Sequence, residues 1–214
     1  CDPLSPQAPI AFIFSPLVGS PLTTSAKFAI VSRSPLTGRL NDSLASSSFA
    51  LAGKRTGHDA IVIVGRAAEP SILVIDEDQV SVQPASELWG LAVGDADQQL
   101  KESQPAGSQA IVIGPAGEKM VHYATLSHDG RHAGRGGSGA VLGAKNIKAI
   151  VVRGDRRCRW DQQEQLVELA RGLSKRSLGP ATAKYRELGT AANLVLFNRL
   201  HALPVKNFQQ GQLE

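Results

Sequence analysis

The chain has 214 residues, enough for one large domain or a domain with an appendage; 42% are hydrophobic, but only 5% are aromatic, so aliphatic side chains must fill most of the core. The longest apolar runs, such as Ala60–Val64, are far too short for a membrane span, and the opening Cys-Asp-Pro lacks both a methionine and a basic stretch ahead of an apolar one, so no signal peptide is expected and the natural N-terminus is expected to lie upstream. The net charge of +4 mildly favours anionic partners, yet the cationic peak at Arg153, Arg156, Arg157 and Arg159 has only Trp160 beside it and offers no stacking platform, so no nucleic-acid partner is expected. Two cysteines, Cys1 and Cys158, form neither a disulfide framework nor a four-cysteine metal site and point to a reducing cytoplasm.

In chain order, β-branched or alternating segments bounded by turn residues predict strands over Ile10–Phe14, Lys27–Ser32, Asp59–Gly65, Ser71–Ile75, Gln79–Gln83, Ser108–Gly114, Lys119–Leu126 and Ile147–Arg153. Asp76-Glu77-Asp78 joins two of them as a hairpin. Ser-Pro-Leu-x-Gly occurs twice, at 15–19 and 34–38, each time after a strand, and predicts two sharp turns. The tripeptide Ala-Ile-Val recurs at Ala60, Ala110 and Ala149, as expected of buried strands in one sheet. Helices are predicted over Ser43–Arg55, with Gly57 just past its end, over Val93–Glu102, over Gln162–Lys175 behind a cap at Asp161, and from Pro180 towards His201. The chain therefore changes from strand-rich to helical near residue 155. The expected fold class is α+β: a β-rich domain over 1–155 and a helical extension over 156–214.

Gly134-Arg135-Gly136-Gly137-Ser138-Gly139 spells the G-x-G-x-x-G of a dinucleotide loop. Its surroundings do not fit one. "SHDGRHA" separates the first glycine from the preceding predicted strand, and about seven residues separate Gly139 from the next. A parallel crossover needs a dozen or more. Gly130, Gly134, Gly136, Gly137, Gly139 and Gly143 still require a reason, since glycine costs backbone entropy on folding. With Arg131, His132 and Arg135 interleaved, two uses are open: backbone N–H groups beside guanidinium forks for a phosphate or planar anion, or a tight turn packed on a neighbouring sheet.

The stretch "DGRHAGRGGSGAVLGAKNIKAIVVRG" (129–154) closely resembles a signature of the aldehyde:ferredoxin oxidoreductase family, tungsten or molybdenum enzymes with a bis-pyranopterin cofactor. "DPLSP" (2–6), "SPLTG" (34–38), "GHDAIVIVGRAAEP" (57–70), "ASELWG" (85–90), "IGPAGEKMV" (113–121) and "PVKNFQQG" (204–211) match in the same order, so the resemblance spans essentially the whole chain. It implies an N-terminal base of two sheets related by a pseudo-twofold, on which two pterins lie, followed by the first helices of a helical domain. It also implies oxidation of an aldehyde to a carboxylic acid, with electrons leaving through a [4Fe–4S] cluster to ferredoxin, and it leaves room for a homodimer.

Carried over residue by residue, the resemblance places Arg131, Ala133, Gly134, Arg135 and Gly136 in the second pterin loop, with His132 beside a position whose backbone carbonyl helps hold a magnesium. The first pterin segment departs from the pattern. Ser25-Ala26-Lys27 stands where the family has Gly-Gly-Arg, and Lys27 keeps the charge but loses the planar fork. Ser43-Leu44-Ala45-Ser46-Ser47 stands where the family has Ala-Asn-Ser-Gly-Gly, which aligns Ser46 with a cofactor-binding position and puts Leu44, which cannot coordinate magnesium, at the ligand position. Either that magnesium site is altered or absent, or Asn41, Asp42 or Ser43 substitutes. The cluster cysteines and the substrate residues would lie beyond Glu214, in further helical domains or a partner subunit, so no catalytic residue is expected within this chain. The alternative is a non-catalytic module of the same fold, its pterin site eroded at Lys27, Leu44 and Ser46.

Overall fold

The computed structural model describes residues 1–214, and they divide into two compact units, Cys1–Asp161 and Gln162–Glu214. The first unit runs in chain order through β1 (Ile10–Phe14), β2 (Lys27–Arg33), β3 (Leu40–Ser46), α1 (Ser48–Arg55), β4 (Ala60–Ile63), β5 (Ser71–Asp76), β6 (Gln79–Pro84), α2 (Val93–Ser103), β7 (Gln109–Val112), α3 (Pro115–Glu118), β8 (Leu126–His128), β9 (Arg131–Ala133), α4 (Ser138–Gly143) and β10 (Ile147–Arg153). The second holds α5 (Gln163–Ser177), α6 (Pro180–Leu188), a 3-10 turn at Gly189–Asn193 and α7 (Leu194–Arg199). No helix is long and apolar enough to cross a membrane.

The strands form two sheets. Sheet A is antiparallel in the order β3-β2-β1-β4, and sheet B is mixed in the order β6-β5-β10-β7-β8-β9. Each strand of sheet A alternates as a half-covered sheet should: Ile10, Phe12 and Phe14 of β1 and Phe28 and Ile30 of β2 point inward and are buried. Helices α1 and α4 pack between the sheets, α1 against β1, β7 and β10, and α4 against β1, β2 and β10. Phe12, Phe14, Phe28 and Phe49 meet in this layer with ring centroids 5.2–6.5 Å apart. Each such burial contributes about 1.5–3 kcal/mol. Helix α2 covers the other face of sheet B, where Ala96 and Leu100 pack on Ile72, Val112, Ala149 and Val151. Buried from both sides, β10 has no exposed position from Ile147 to Val152.

Several expectations meet a different outcome. The predicted helix over Ser43–Arg55 is two elements: residues to Ser46 are strand, and the helix begins at Ser48 behind Ser47, whose Oγ accepts from the Phe49 N–H at 3.2 Å. Pairing with β2 from Lys27↔Ser46 to Arg33↔Leu40 overrides a weak local preference. The helix ends as expected, with Gly57 at φ +92 just past it. Of the predicted strand Lys119–Leu126 only Leu126, the first residue of β8, is strand; the rest follows α3 as a turn, because Pro115 at the first helical position starts one helical turn and Met120 at φ +54 closes it. The Ala-Ile-Val segments do not share one sheet: β7 and β10 are neighbours in sheet B, with Ala149↔Val112 and Val151↔Ala110, whereas β4 belongs to sheet A. Both Ser-Pro-Leu-x-Gly copies turn sharply, with Gly19 at φ +86 and Gly38 at φ +69, but they follow β1 and β2 at opposite ends of sheet A. They reuse turn chemistry within one sheet and do not relate the two sheets. The hairpin at Glu77-Asp78 forms as expected, with Asp76 opposite Gln79.

Within the second unit, α5 follows the predicted helix, but the helix expected from Pro180 towards His201 is broken into α6 and α7 by the 3-10 turn that begins at Gly189, φ +58. Only Ala170 among their residues is buried; Leu178, Leu188, Val195 and Phe208 are exposed. Helix α5 is preceded by Gln162, with no side-chain cap, so Asp161 does not serve as one.

Candidate functional site

The two segments singled out by the resemblance come together where the edge of sheet A meets the edge of sheet B, with β3 alongside β9. Asp129 Oδ2 accepts from the Ser48 N–H at 2.8 Å, and farther along Arg135 contacts both Ser43 and Asn41. The segments thus pass one another antiparallel. Ser46, with Lys27 opposite it on β2, lies along β3 between these two points of contact.

Lys27, Arg131 and Arg135 are exposed and form no ion pair. Ser46 is half-buried. His132 is exposed, and its Nδ1 lies 2.8 Å from the Ser127 Oγ of the paired strand. Ala133 is fully buried with its methyl in the core, so only its backbone is available to a ligand. Gly134 has open space around it: a Cβ there would meet only Thr125 Cγ2, at 3.7 Å.

Gly130 likewise has open space around it, whereas Gly136, Gly137, Gly139 and Gly143 face protein. A Cβ on Gly137 would lie 1.8 Å from the His122 carbonyl oxygen, one on Gly139 2.4 Å from that of Thr125, and one on Gly143 2.0 Å from that of Gly117. They let α4 pass close against neighbouring backbone. Of the two uses open for this loop, these three glycines serve the packed turn. The loop is no dinucleotide site either: β9 and β10 run in opposite directions, separated by β7 and β8, so no strand–helix–parallel-strand unit exists here. The β8–β9 hairpin escaped sequence reading although Asp129-Gly130 signals it. Both residues have positive φ, +47 and +67, as a two-residue hairpin turn of this kind requires.

Beside these residues, the outward face of sheet A carries a patch of small and apolar groups. Leu44, Ala29, Ile13 and Ala60 follow one another across its four strands, and Val31, Ala11 and Val62 form the next row with Asp42. Leu44 is 67% exposed and Val62 60%. An uncovered apolar face bordered by unpaired cations suits a large, flat, anionic ligand. Isolated from whatever covers it, the face is expected to cause self-association, visible as concentration-dependent light scattering; a monodisperse, cooperatively unfolding chain would contradict this.

The cationic cluster read from the sequence is partly neutralised elsewhere. Arg153 pairs with Asp76 at 3.0 Å, and Arg156 pairs with Glu77 at 3.4 Å and with Asp78. Sequence reasoning also missed His128, buried between the sheets with its ring 5.1 Å from Phe28 and both nitrogens without a hydrogen-bond partner. Burial pushes its pKa below the ordinary 6.5, Asp129 opposes that shift, and His132 and Arg131 add to it. Below pH 6.5 the unfolded chain therefore binds the extra proton first. Stability should fall as pH drops from about 6.5 towards the folded-state pKa and then level. His128→Leu should flatten that part of the pH–stability curve, and an unchanged slope would contradict the assignment.

No three His, Cys, Asp or Glu side chains converge to hold a metal ion. The two cysteines do not suffice for a [4Fe–4S] cluster, which takes four cysteine thiolates. A metal at this site would have to arrive with its own ligands. That fits a pterin-bound metal, whose phosphates Lys27, Arg131 and Arg135 could meet. The magnesium expectation fits poorly: Leu44 points outward, and Asn41 and Ser43 are engaged with Arg135. Asp42, exposed on the outward face, is the one stand-in without a partner.

The fold and site thus define a two-sheet base domain with an open, cation-edged face. The family model described as aldehyde ferredoxin oxidoreductase, N-terminal domain, matches residues 1–154, and the chain belongs to that family. The chain is similar to tungsten-containing aldehyde ferredoxin oxidoreductases of Pyrococcus abyssi, at 37% identity over 100% of this chain and 36% of the relative, and of Pyrococcus horikoshii, at 36% identity over 98% and 35%. It thus spans about a third of the length of these curated relatives. Among solved structures, it is similar to a chain of the active site complex BamBC of benzoyl coenzyme A reductase in complex with 1,5-dienoyl-CoA, with a TM-score of 0.78, 31% identity, and coverage of 82% of this chain and 27% of that one.

Proposed function

We propose that this chain is the pterin-binding base of a tungsten or molybdenum oxidoreductase, completed by helical domains beyond residue 214 or by a partner subunit. The observation that carries the reading is the open apolar face of sheet A with unpaired Lys27, Arg131 and Arg135 at its edge, in a chain of this family. The outward face of sheet A supports the ligand's flat body. Lys27, Arg131 and Arg135 neutralise its phosphates, and Gly134 lets backbone approach. His132 and Ala133 offer main-chain groups, while Gly136 and Ser46 flank the contact. Two-electron oxidation of an aldehyde with water to a carboxylic acid releases two protons and two electrons. Bound there, the metal–pterin group would supply this redox chemistry, and a [4Fe–4S] cluster held outside this chain would serve the transfer of electrons to ferredoxin. The protein's part is to bind and orient. Cytoplasmic location and a homodimer complete the proposal.

In the complete protein, Arg135→Ala should lower tungsten or molybdenum and pterin content together, by about tenfold in retention. Metal content equal to the unsubstituted protein would count against the assignment. A second reading, a non-catalytic module, is favoured by the outward Leu44 and the poor magnesium fit. A complete, folded protein carrying neither metal nor pterin would select it.

A further inference from the structure

We infer that Asn41 and Ser43 are positioning residues that clamp the main chain of Arg135 and thereby set where its guanidinium meets an anionic ligand. The inference rests on the proposed function above for the ligand, and on geometry alone for the clamp.

Asn41 and Ser43 are two apart on β3, so their side chains leave the same face of the strand, opposite to Leu44. The Arg135 N–H donates to Ser43 Oγ at 3.1 Å, and Asn41 Nδ2 donates to the Arg135 carbonyl at 3.2 Å. Both polar main-chain groups of one residue in the sheet B connection are thus held by one strand of sheet A. The geometry also explains Gly136. Its φ is +71, and a Cβ there would lie 2.2 Å from both Cγ and Nδ2 of Asn41, so any larger residue would displace the amide from its partner.

The clamp is rigid on one side and needed on the other. Strand β3 is locked to β2 through seven consecutive pairs, and Ser43 is 1% exposed. Residues 134–136, by contrast, lie outside any helix or strand, just after a β9 of three residues. Holding the N–H and C=O fixes the Cα of Arg135 while its guanidinium, which has no partner in the protein, stays available. Such preorganisation lowers the ordering cost when an anion binds. It also couples the two sheets: a change on β3 is felt at Arg135 without touching the ligand.

The test is a set of cycles in the complete protein, reading tungsten content and amide hydrogen exchange at Arg135. Ser43→Ala should speed exchange of the Arg135 amide by about tenfold, the size of one lost hydrogen bond. Asn41→Ala and Gly136→Ala should each lower metal retention. Ser43→Thr, which keeps the hydroxyl, should restore both readouts and guards against a folding defect in Ser43→Ala. In an Arg135→Ala background, Asn41→Ala should cause no further loss of metal. Additive losses in that background, or Arg135 exchange unchanged by Ser43→Ala, would overturn the clamp. If Arg135→Ala alone leaves metal content intact, the ligand reading fails, and with it the guanidinium-setting role. The exchange data then still decide whether the main chain is clamped.

Discussion

Gly137→Ala should destabilise the protein by on the order of 3–5 kcal/mol, through left-handed backbone strain and forced overpacking acting together. Gly137 has φ +74, where an alanine is strained whatever the space around it. Its Cβ would sit 1.8 Å from the His122 carbonyl oxygen, 2.7 Å from the carbonyl carbon and 3.1 Å from Pro35 Cγ. The first two are backbone atoms and cannot swing aside. Gly137 also precedes α4, all six of whose residues are buried between the sheets, so a shift there is transmitted into the core. At roughly 2–4 °C per kcal/mol for a chain of this size, the melting temperature should drop by about 10 °C or more. Gly134→Ala is the internal control. It stands three positions earlier in the same glycine-rich motif, yet its Cβ would meet only Thr125 Cγ2, at 3.7 Å, and it should change stability by no more than about 0.5 kcal/mol. Equal melting temperatures for the two variants would refute the packing explanation of this loop.

The second large effect concerns a pair of charges no ligand is needed to explain. Lys148 is the second residue of β10 with its side chain 0% exposed, paired with Glu118, whose side chain is 5% exposed. Lys148 Nζ also donates to the Leu91 carbonyl at 2.9 Å, and both carboxylate oxygens of Glu118 accept from the Gly90 N–H, at 3.0 and 2.9 Å. The pair therefore ties β10 to α3 and to the loop leading into α2. Lys148→Met alone should cost about 3–5 kcal/mol, because it leaves a buried carboxylate without its counter-charge. Adding Glu118→Leu should recover part of that loss, since the double change removes both charges and leaves only Gly90 N–H and the Leu91 carbonyl to find new partners. Denaturant unfolding of both singles and the double gives the coupling directly. A double variant as unstable as the sum of the singles would show that the pair is not the unit of stabilisation.

These two cases mark where sequence reading succeeded and where it could not. Strands β1, β2, β5 and β10 were legible because β-branched and alternating residues suit a pleated, half-buried surface. The Glu77-Asp78 hairpin was legible from its turn residues. Strand β3 was not, because Leu-Asn-Asp-Ser-Leu-Ala-Ser contains no β-branched residue and becomes a strand only by pairing with β2. The buried Lys148 was hidden for a similar reason: a charge within an apolar run reads as solvent-facing until its partner, thirty residues away, is placed beside it. The glycine cluster was legible as a constraint but not as to its kind. Letters alone do not reveal that Gly137, Gly139 and Gly143 face carbonyl groups, Gly136 faces Asn41, and Gly134 faces open space. The candidate site shows the same division. Arg131, His132, Arg135 and their glycines stood out by composition and the resemblance added Lys27, Ser46 and Ala133, whereas the meeting of β3 with β9, and the hold of Asn41 and Ser43 on Arg135, exist only in three dimensions.

On the proposed function, a metal–pterin group rests on the outward face of sheet A, held at its edge by Lys27, Arg131 and Arg135. Anomalous diffraction at the tungsten absorption edge, from crystals of the complete protein grown with tungstate supplied, tests this placement without intermediaries. One strong metal peak is expected above that face, with flanking density reaching the Arg131–Gly136 segment. A folded protein with no such peak, or with its metal bound elsewhere and this face covered by protein side chains alone, would contradict it.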